Sequence, residues 1–375
     1  DPKGGVALLT SSMLNQGTKN KDTDAIATAF DDVGAEFSSE SERDMAVLSL
    51  RTLSKADALK PAIDTFVEVI SQPSFPERSF DRLINQVKTS LQSEKQSPSA
   101  IADRAFYQQL YDDHPYSSMP IGTEASIDEI SIADLQQFYQ QFYVANNAVL
   151  VIVGDVDIKQ AKALSEKISG SLPAGKKAAA LPEVEPLETA QQKNLPYPSS
   201  QTTILMGQPG LTRDDPDFFP LYVGNHVLGG SGLVSIISDE IREKRGLSYS
   251  AYSYFRPMRE AGPYQFGLQT RNDQAELALD VLNQTLVDFV EQGPTKEQLT
   301  AAQKNITGGF ALRLDSNSKI ADYLAMMGFY QLPLDHLETF NSRVNAVTVD
   351  QIKAAYQKRI HPQKMVTILV GGDAE

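Results

Sequence analysis

The sequence predicts an α+β fold made of two tandem homologous domains, and three observations predict it. The first is a repeat. Ser131-Ile132-Ala133-Asp134-Leu135-Gln136-Gln137-Phe138-Tyr139 matches Thr348-Val349-Asp350-Gln351-Ile352-Lys353-Ala354-Ala355-Tyr356 at an offset of 217 residues. Each copy leads without a gap into an apolar run and a glycine. The runs are Val149–Val153 with Gly154 and Val366–Val370 with Gly371, and both read as strands. The second observation is period-two alternation. It spans Met45 to Leu50 in the first half and Tyr264, Phe266 and Leu268 in the second. The third is helical spacing right after those strands. Leu59, Ile63, Phe66, Val67 and Ile70 correspond to Leu279, Leu282, Leu286, Phe289 and Val290. Each helix runs into a Pro-containing turn, at Pro73 and Pro294, and then another helix. Strands, helices and a final strand in each half predict an antiparallel-rich sheet with helices packed on one face.

Leu172-Pro173-Ala174-Gly175-Lys176-Lys177-Ala178-Ala179-Ala180-Leu181-Pro182 separates the halves and reads as a linker. The expected domains are 1–185 and 186–375.

Composition narrows the function. The formal net charge of the 375 residues is −14, which argues against nucleic acid and anionic membrane as partners. Such a surface keeps a protein soluble and can attract basic peptides. The chain has no cysteine, which excludes disulfides and thiol chemistry. No segment has the length and apolarity of a membrane span. The four histidines, His114, His226, His336 and His361, are too dispersed in sequence to suggest a metal motif. No Gly-x-Ser-x-Gly nucleophile elbow is present.

The stretch richest in chemistry is Ile241-Arg242-Glu243-Lys244-Arg245-Gly246-Leu247-Ser248-Tyr249-Ser250, after Leu228-Gly229-Gly230-Ser231-Gly232. Arg242 falls in the last turn of a helix expected from about Leu233. Gly246 ends that helix in the left-handed conformation that glycine adopts cheaply. Tyr249 is expected to open an extended run. A guanidinium and a phenol brought together there form a donor pair for a carbonyl oxygen or an oxyanion. Taken alone, Arg242 also suits a helix dipole and Tyr249 suits packing. Arg245 reads as a solvent-facing helix end. Gly229, Gly230 and Gly232 lack the ending of a phosphate-binding loop and read as a helix N-terminal turn. They also offer a loop a peptide backbone could approach closely.

These residues resemble the second half of an M16 (pitrilysin-type, inverzincin) zinc peptidase. The resemblance covers essentially the whole chain. It implies an M16, mitochondrial-processing-peptidase-like metallohydrolase fold. It also implies that Arg242 and Tyr249 contact substrate from across a peptide chamber. The family's zinc motif is His-x-x-Glu-His followed by Met-Leu-x-x-Gly-Thr. Here Met13-Leu14-Asn15-Gln16-Gly17-Thr18 fixes the register, and Leu8-Leu9-Thr10-Ser11-Ser12 precedes it. Leu8 and Ser12 stand where histidines belong, and Ser11 where the glutamate belongs. Glu94 lies about one helical turn late for the third ligand. Zinc needs imidazole, thiolate or carboxylate ligands, so no metal is expected in this chain. The resemblance therefore implies a non-catalytic subunit, with no cofactor of its own, of a heterodimer whose zinc-bearing M16 paralogue carries the metal. Peptide or unfolded polypeptide is the implied substrate. The rivals are a structural scaffold and a peptide-binding pseudoenzyme. On family grounds the first domain is expected to lack its N-terminal strands and the compartment to be the periplasm.

Overall fold

The computed structural model describes residues 3–372. They form two compact units. Among them the first comprises 3–93, 118–180 and 314–329, and the second comprises 94–117, 181–313 and 330–372. The chain order of the halves is as the repeat predicts. The packing units are not divided by one cut near residue 185, because each half lends a segment to the other unit. The two segments hold helices Pro98–Tyr111 and Asn317–Phe329. The 217-residue offset makes these two helices counterparts, so the exchange is reciprocal.

In the first unit, β1 (Glu36–Ser41) and β2 (Ala46–Arg51) pair antiparallel, with Phe37 opposite Leu50 and Ser39 opposite Leu48. The helix Ala56–Ser71 follows. Its apolar positions recur every three or four residues, so Ala62, Phe66, Val69 and Ile70 face one way. They pack with Ile26 and Phe30 of the helix Thr23–Asp31. Each fully buried side chain of this size contributes ~1.5–3 kcal/mol. A second cluster joins Leu9, Met13, Phe75, Leu91, Ile127 and Leu135. The helix Glu77–Glu94 leans on it through Phe80, Leu83, Ile84 and Val87.

The second unit holds a five-stranded sheet. Its strands are β3 (Gln191–Leu195), β4 (Gln201–Pro209), β5 (Ala251–Phe255), β6 (Pro263–Arg271) and β7 (Val366–Val370). The order is β3-β7-β4-β6-β5. Only β3 and β7 run parallel; every other neighbouring pair is antiparallel. Tyr356 on the helix Val349–Arg359 meets Tyr264 of β6 and Phe289 of the helix Ala275–Gln292. Pro98–Tyr111 covers the other face. A Cβ at Gly207 of β4 would lie 2.8 Å from the Phe106 ring. The expected one-sided helix layer is thus joined by a helix on the opposite face, which explains the near-continuous burial of β4.

The repeat is visible in capping chemistry as well as packing. Ser131 and Asp134 form a capping box at the start of Ile132–Phe142. Thr348 and Gln351 form the same device at Val349–Arg359. Hydrogen bonds from the Ser131 hydroxyl and backbone, and from Lys3, hold the Asp134 carboxyl down at about 2.

One expected strand is corrected. Residues 149–153 make no ladder among the described residues. The counterpart, β7, lies between β3 and β4. Val149 is 50% exposed. Its apolar side is met by a helix: a Cβ at Gly328 of Asn317–Phe329 would sit 2.6 Å from Val149 Cγ1. Proline substitution separates the two segments. Ile368→Pro removes a ladder donor from an interior strand and is expected to cost about 3 kcal/mol or more. Val151→Pro is expected to cost less than about 1 kcal/mol. Thermal melting of both variants checks this, and an equal loss would place 149–153 in a ladder.

Candidate functional site

The helix Phe218–Asn225 does not stop at Asn225 but widens into a π turn, His226–Gly230. Buried Asn225 fixes its position. Its Nδ2 donates to the Ser253 carbonyl at 3.0 Å, and Ser253 Oγ donates to Asn225 Oδ1 at 2.6 Å. Gly229 sits against the same strand residue. A Cβ there would lie 2.2 Å from Ser253 Oγ and 2.6 Å from the Ser253 nitrogen. At Gly230 a Cβ would meet Asn225 Nδ2 at 2.9 Å. These two glycines therefore close a helix end rather than open one, and the chain's own atoms fill the space beside them. Gly232, at φ +64°, has nothing within 4 Å and alone of the three remains open.

The helix expected from Leu233 to Arg242 is broken into three pieces. Gly232–Val234 is a 3-10 turn. Ser235 is extended and restarts the chain, its hydroxyl accepting from the Ser238 amide at 3.3 Å. After one short turn, Asp239–Glu243 widens into a second π turn, with the Lys244 amide bonded to the Asp239 carbonyl at 2.9 Å. Gly246 takes φ +61° as expected, which lets the Leu247 amide reach back to the Ile241 carbonyl.

Strand β5 then begins later than expected. Ser248 Oγ donates to the Ser250 carbonyl and accepts from the Ser250 amide. This local turn holds Tyr249 in a bend, and the ladder starts at Ala251. The bend brings the two singled-out residues together. The Arg242 guanidinium carbon lies 4.9 Å from the centre of the Tyr249 ring, within cation–π range. Arg242 Nε is 3.5 Å from Glu243 Oε1, and the Arg242 side chain is 28% exposed. Tyr249 is 84% exposed.

The neighbouring cations are engaged elsewhere. Lys244 pairs with Glu240 at 2.5 Å and with Asp239 at 2.9 Å. Arg245 faces solvent, as expected, and also pairs with Glu240 at 2.5 Å. Lys244, then Arg245, hold the Glu240 carboxyl below its usual range. Glu240 and Arg245 also line an open cleft of about 450 Å³ with Asp280, Gln284, Asp288 and Phe289. Arg242 and Tyr249 lie outside its lining.

The zinc-motif positions carry different chemistry. Leu8, Ser11 and Ser12 lie on the helix Val6–Met13. Ser11 is buried, and its Oγ is 2.5 Å from Ser39 Oγ on β1. Ser39 Oγ donates to the Ser11 carbonyl at 2.7 Å, which leaves the Ser11 hydroxyl to donate to Ser39. Nearby, burial pushes the Tyr143 phenol up to about 12. Glu94 is ion-paired to Arg104 at 2.7 Å. Neutral hydroxyls that satisfy one another offer no ligand set, so these residues do not fit zinc. Among the described residues no group of three or more His, Cys, Asp or Glu is placed to hold a metal.

The sequence missed the Asn225–Ser253 lock and both π turns. Two lone polar residues 28 positions apart carry no motif. Leu228-Gly229-Gly230 is the one signal of a close approach, and the same residues read as a helix N-terminal turn. The lock gives a direct expectation. Gly229→Ala forces β5 away and costs about 1–3 kcal/mol, read as a lower melting temperature.

Similarity to known proteins follows the same outline. Residues 129–306 match the peptidase M16 inactive domain, and residues 1–124 match the insulinase, peptidase family M16, domain. A Pseudomonas fluorescens crystal structure described as a peptidase M16 inactive domain superposes with a TM-score of 0.96. It is 38% identical and is covered over 99% of this chain and 89% of its own. A Helicobacter pylori protein named non-peptidase homolog YmxG is 24% identical over 352 residues, 93% of this chain and 80% of that protein. A Bacillus subtilis protein named uncharacterized zinc protease YmxG is also 24% identical, over 93% of this chain and 84% of its own length. With the repeat, the sheet order and a motif position filled by serines and leucine, these matches make the chain a member of peptidase family M16, of the inactive kind.

Proposed function

We propose that this chain is the non-catalytic subunit of a two-chain M16 zinc endopeptidase, forming part of the peptide chamber. A zinc-bearing paralogue would supply the metal and the general base. Arg242 and Tyr249 would supply hydrogen-bond donors to the substrate carbonyl, whose oxygen gains charge in the tetrahedral intermediate.

One observation carries this reading: a half-buried guanidinium stacked on an exposed tyrosine, with its neighbouring cations already ion-paired. Stacking orients the planar fork before substrate arrives, so little reorganisation is needed when charge develops. The Ser11–Ser39 hydroxyl pair accounts for the need of a partner, since a site without ligands cannot activate water.

The test is a peptidase assay on a quenched basic peptide with this chain, its zinc-bearing paralogue, and a stoichiometric mixture. Cleavage is expected only in the mixture and is lost with a chelator. Arg242→Ala and Tyr249→Phe are each expected to lower turnover of the mixture about 100-fold without preventing assembly. Wild-type turnover from both variants would remove them from the reaction. No gain on mixing would leave a scaffold or a free-standing peptide binder.

A further inference from the structure

We propose that the cleft beside the second π turn binds an extended peptide segment carrying two basic side chains, at a site separate from the Arg242–Tyr249 contact. The cleft has a volume of about 450 Å³ and opens between the π turn Asp239–Glu243 and the helix Ala275–Gln292. That size suits a few side chains of a peptide, whereas a folded partner buries about 800 Å² a side. Part of the lining is apolar, from Ile236, Val281 and Phe289. The aliphatic stems of Lys and Arg lie along such a surface while their charged heads reach for an acid.

The charge of the cleft selects the occupant. Asp280, Gln284 and Asp288 recur every four residues, so they share one face of the helix, and all three line the cleft and are exposed. Asp288 accepts a hydrogen bond from Gln284 Nε2 at 2.8 Å. Neither Asp280 nor Asp288 has an ion-pair partner among the described residues. Among those residues Arg245 is the one cation of the lining, and Glu240 neutralises it. An incoming cation therefore meets two unpaired carboxylates and little repulsion. Asp280 and Asp288 lie about 12 Å apart along the helix axis. In an extended peptide, residues four positions apart are separated by about 13 Å and point the same way. Two basic residues at that spacing meet both carboxylates from one side, while adjacent ones point to opposite sides.

The probes are three short fluorescein-labelled peptides of Leu, Ala and Ser with amidated C-termini. One carries two Lys four positions apart, one carries the two Lys adjacent, and one carries a single Lys. Binding to the full chain is read by fluorescence anisotropy at fixed ionic strength. The four-apart peptide is expected to bind about fivefold tighter than either of the others. Asp280→Asn combined with Asp288→Asn keeps the shape of the cleft and removes both charges, so that advantage is expected to vanish. A net charge of −14 attracts any cation, and a second double variant controls for it. Glu276→Gln with Glu291→Gln removes the same charge from the same helix outside the lining, and is expected to change affinity by less than about twofold. Equal losses in the two double variants would reduce the binding to the overall field and overturn the site. Equal affinities for the adjacent and four-apart peptides would overturn the extended, two-carboxylate fit. If no peptide binds, the proposal fails; weaker pairing of the Asp280/Asp288 variant with the zinc-bearing paralogue would then make the cleft a contact between subunits. None of these readouts uses turnover, so failure of the two-chain assay leaves the cleft site standing, and failure here leaves the Arg242–Tyr249 contact standing.

Discussion

The candidate site depends on one close approach, that of Gly229 to Ser253. With a Cβ excluded at Gly229, the π turn at His226–Gly230 lies directly on β5, and the Asn225–Ser253 pair fastens it there. A buried amide and hydroxyl that satisfy each other are stable only in one relative placement, because shifting either strands a polar group at about 1–3 kcal/mol. The chain leaves this anchor through Gly232, restarts at Ser235 and returns through Arg242 to the strand it left. A loop anchored at both ends on β5 has little freedom, and this lets an exposed Tyr249 stay beneath Arg242.

The first unit shows how a metal site can be absent without leaving a hole. Replacing charged or imidazole ligands by hydroxyls removes the affinity for a dication but leaves buried polar atoms that need partners. Ser11 and Ser39 supply them to each other across the helix Val6–Met13 and β1. The same contact that unmakes the metal site therefore ties helix to strand. Glu94, the nearest carboxylate in the sequence, is neutralised by Arg104 and adds no ligand.

Much of this was legible in the sequence because it rests on local periodicity. The helices around Phe66 and Leu286, the strands around Leu48 and Phe266 and the paired capping boxes follow from spacing and from Ser or Thr before an acceptor. The Arg242–Tyr249 pair was legible for another reason: Gly246 fixes the reversal between them. Long-range facts were not legible. The run at 149–153 has the composition of β7, but a ladder needs neighbours, and strand propensity cannot report them. The reciprocal exchange of Pro98–Tyr111 and Asn317–Phe329 is likewise set by which sheet each helix meets, not by its own pattern. The π turns escaped because inserting one residue into a helix leaves its composition unchanged.

Charge placement around the second π turn gives the site its chemical character. Four of the five residues Asp239, Glu240, Arg242, Lys244 and Arg245 belong to one mutually neutralising network. Arg242 stands apart from it, pairing with Glu243 at 3.5 Å and lying over the Tyr249 ring. Stacking on Tyr249 covers one face of the guanidinium. The second unit thus sets a guanidinium over a tyrosine ring, while in the first unit the motif position Ser11 carries a hydroxyl packed on that of Ser39.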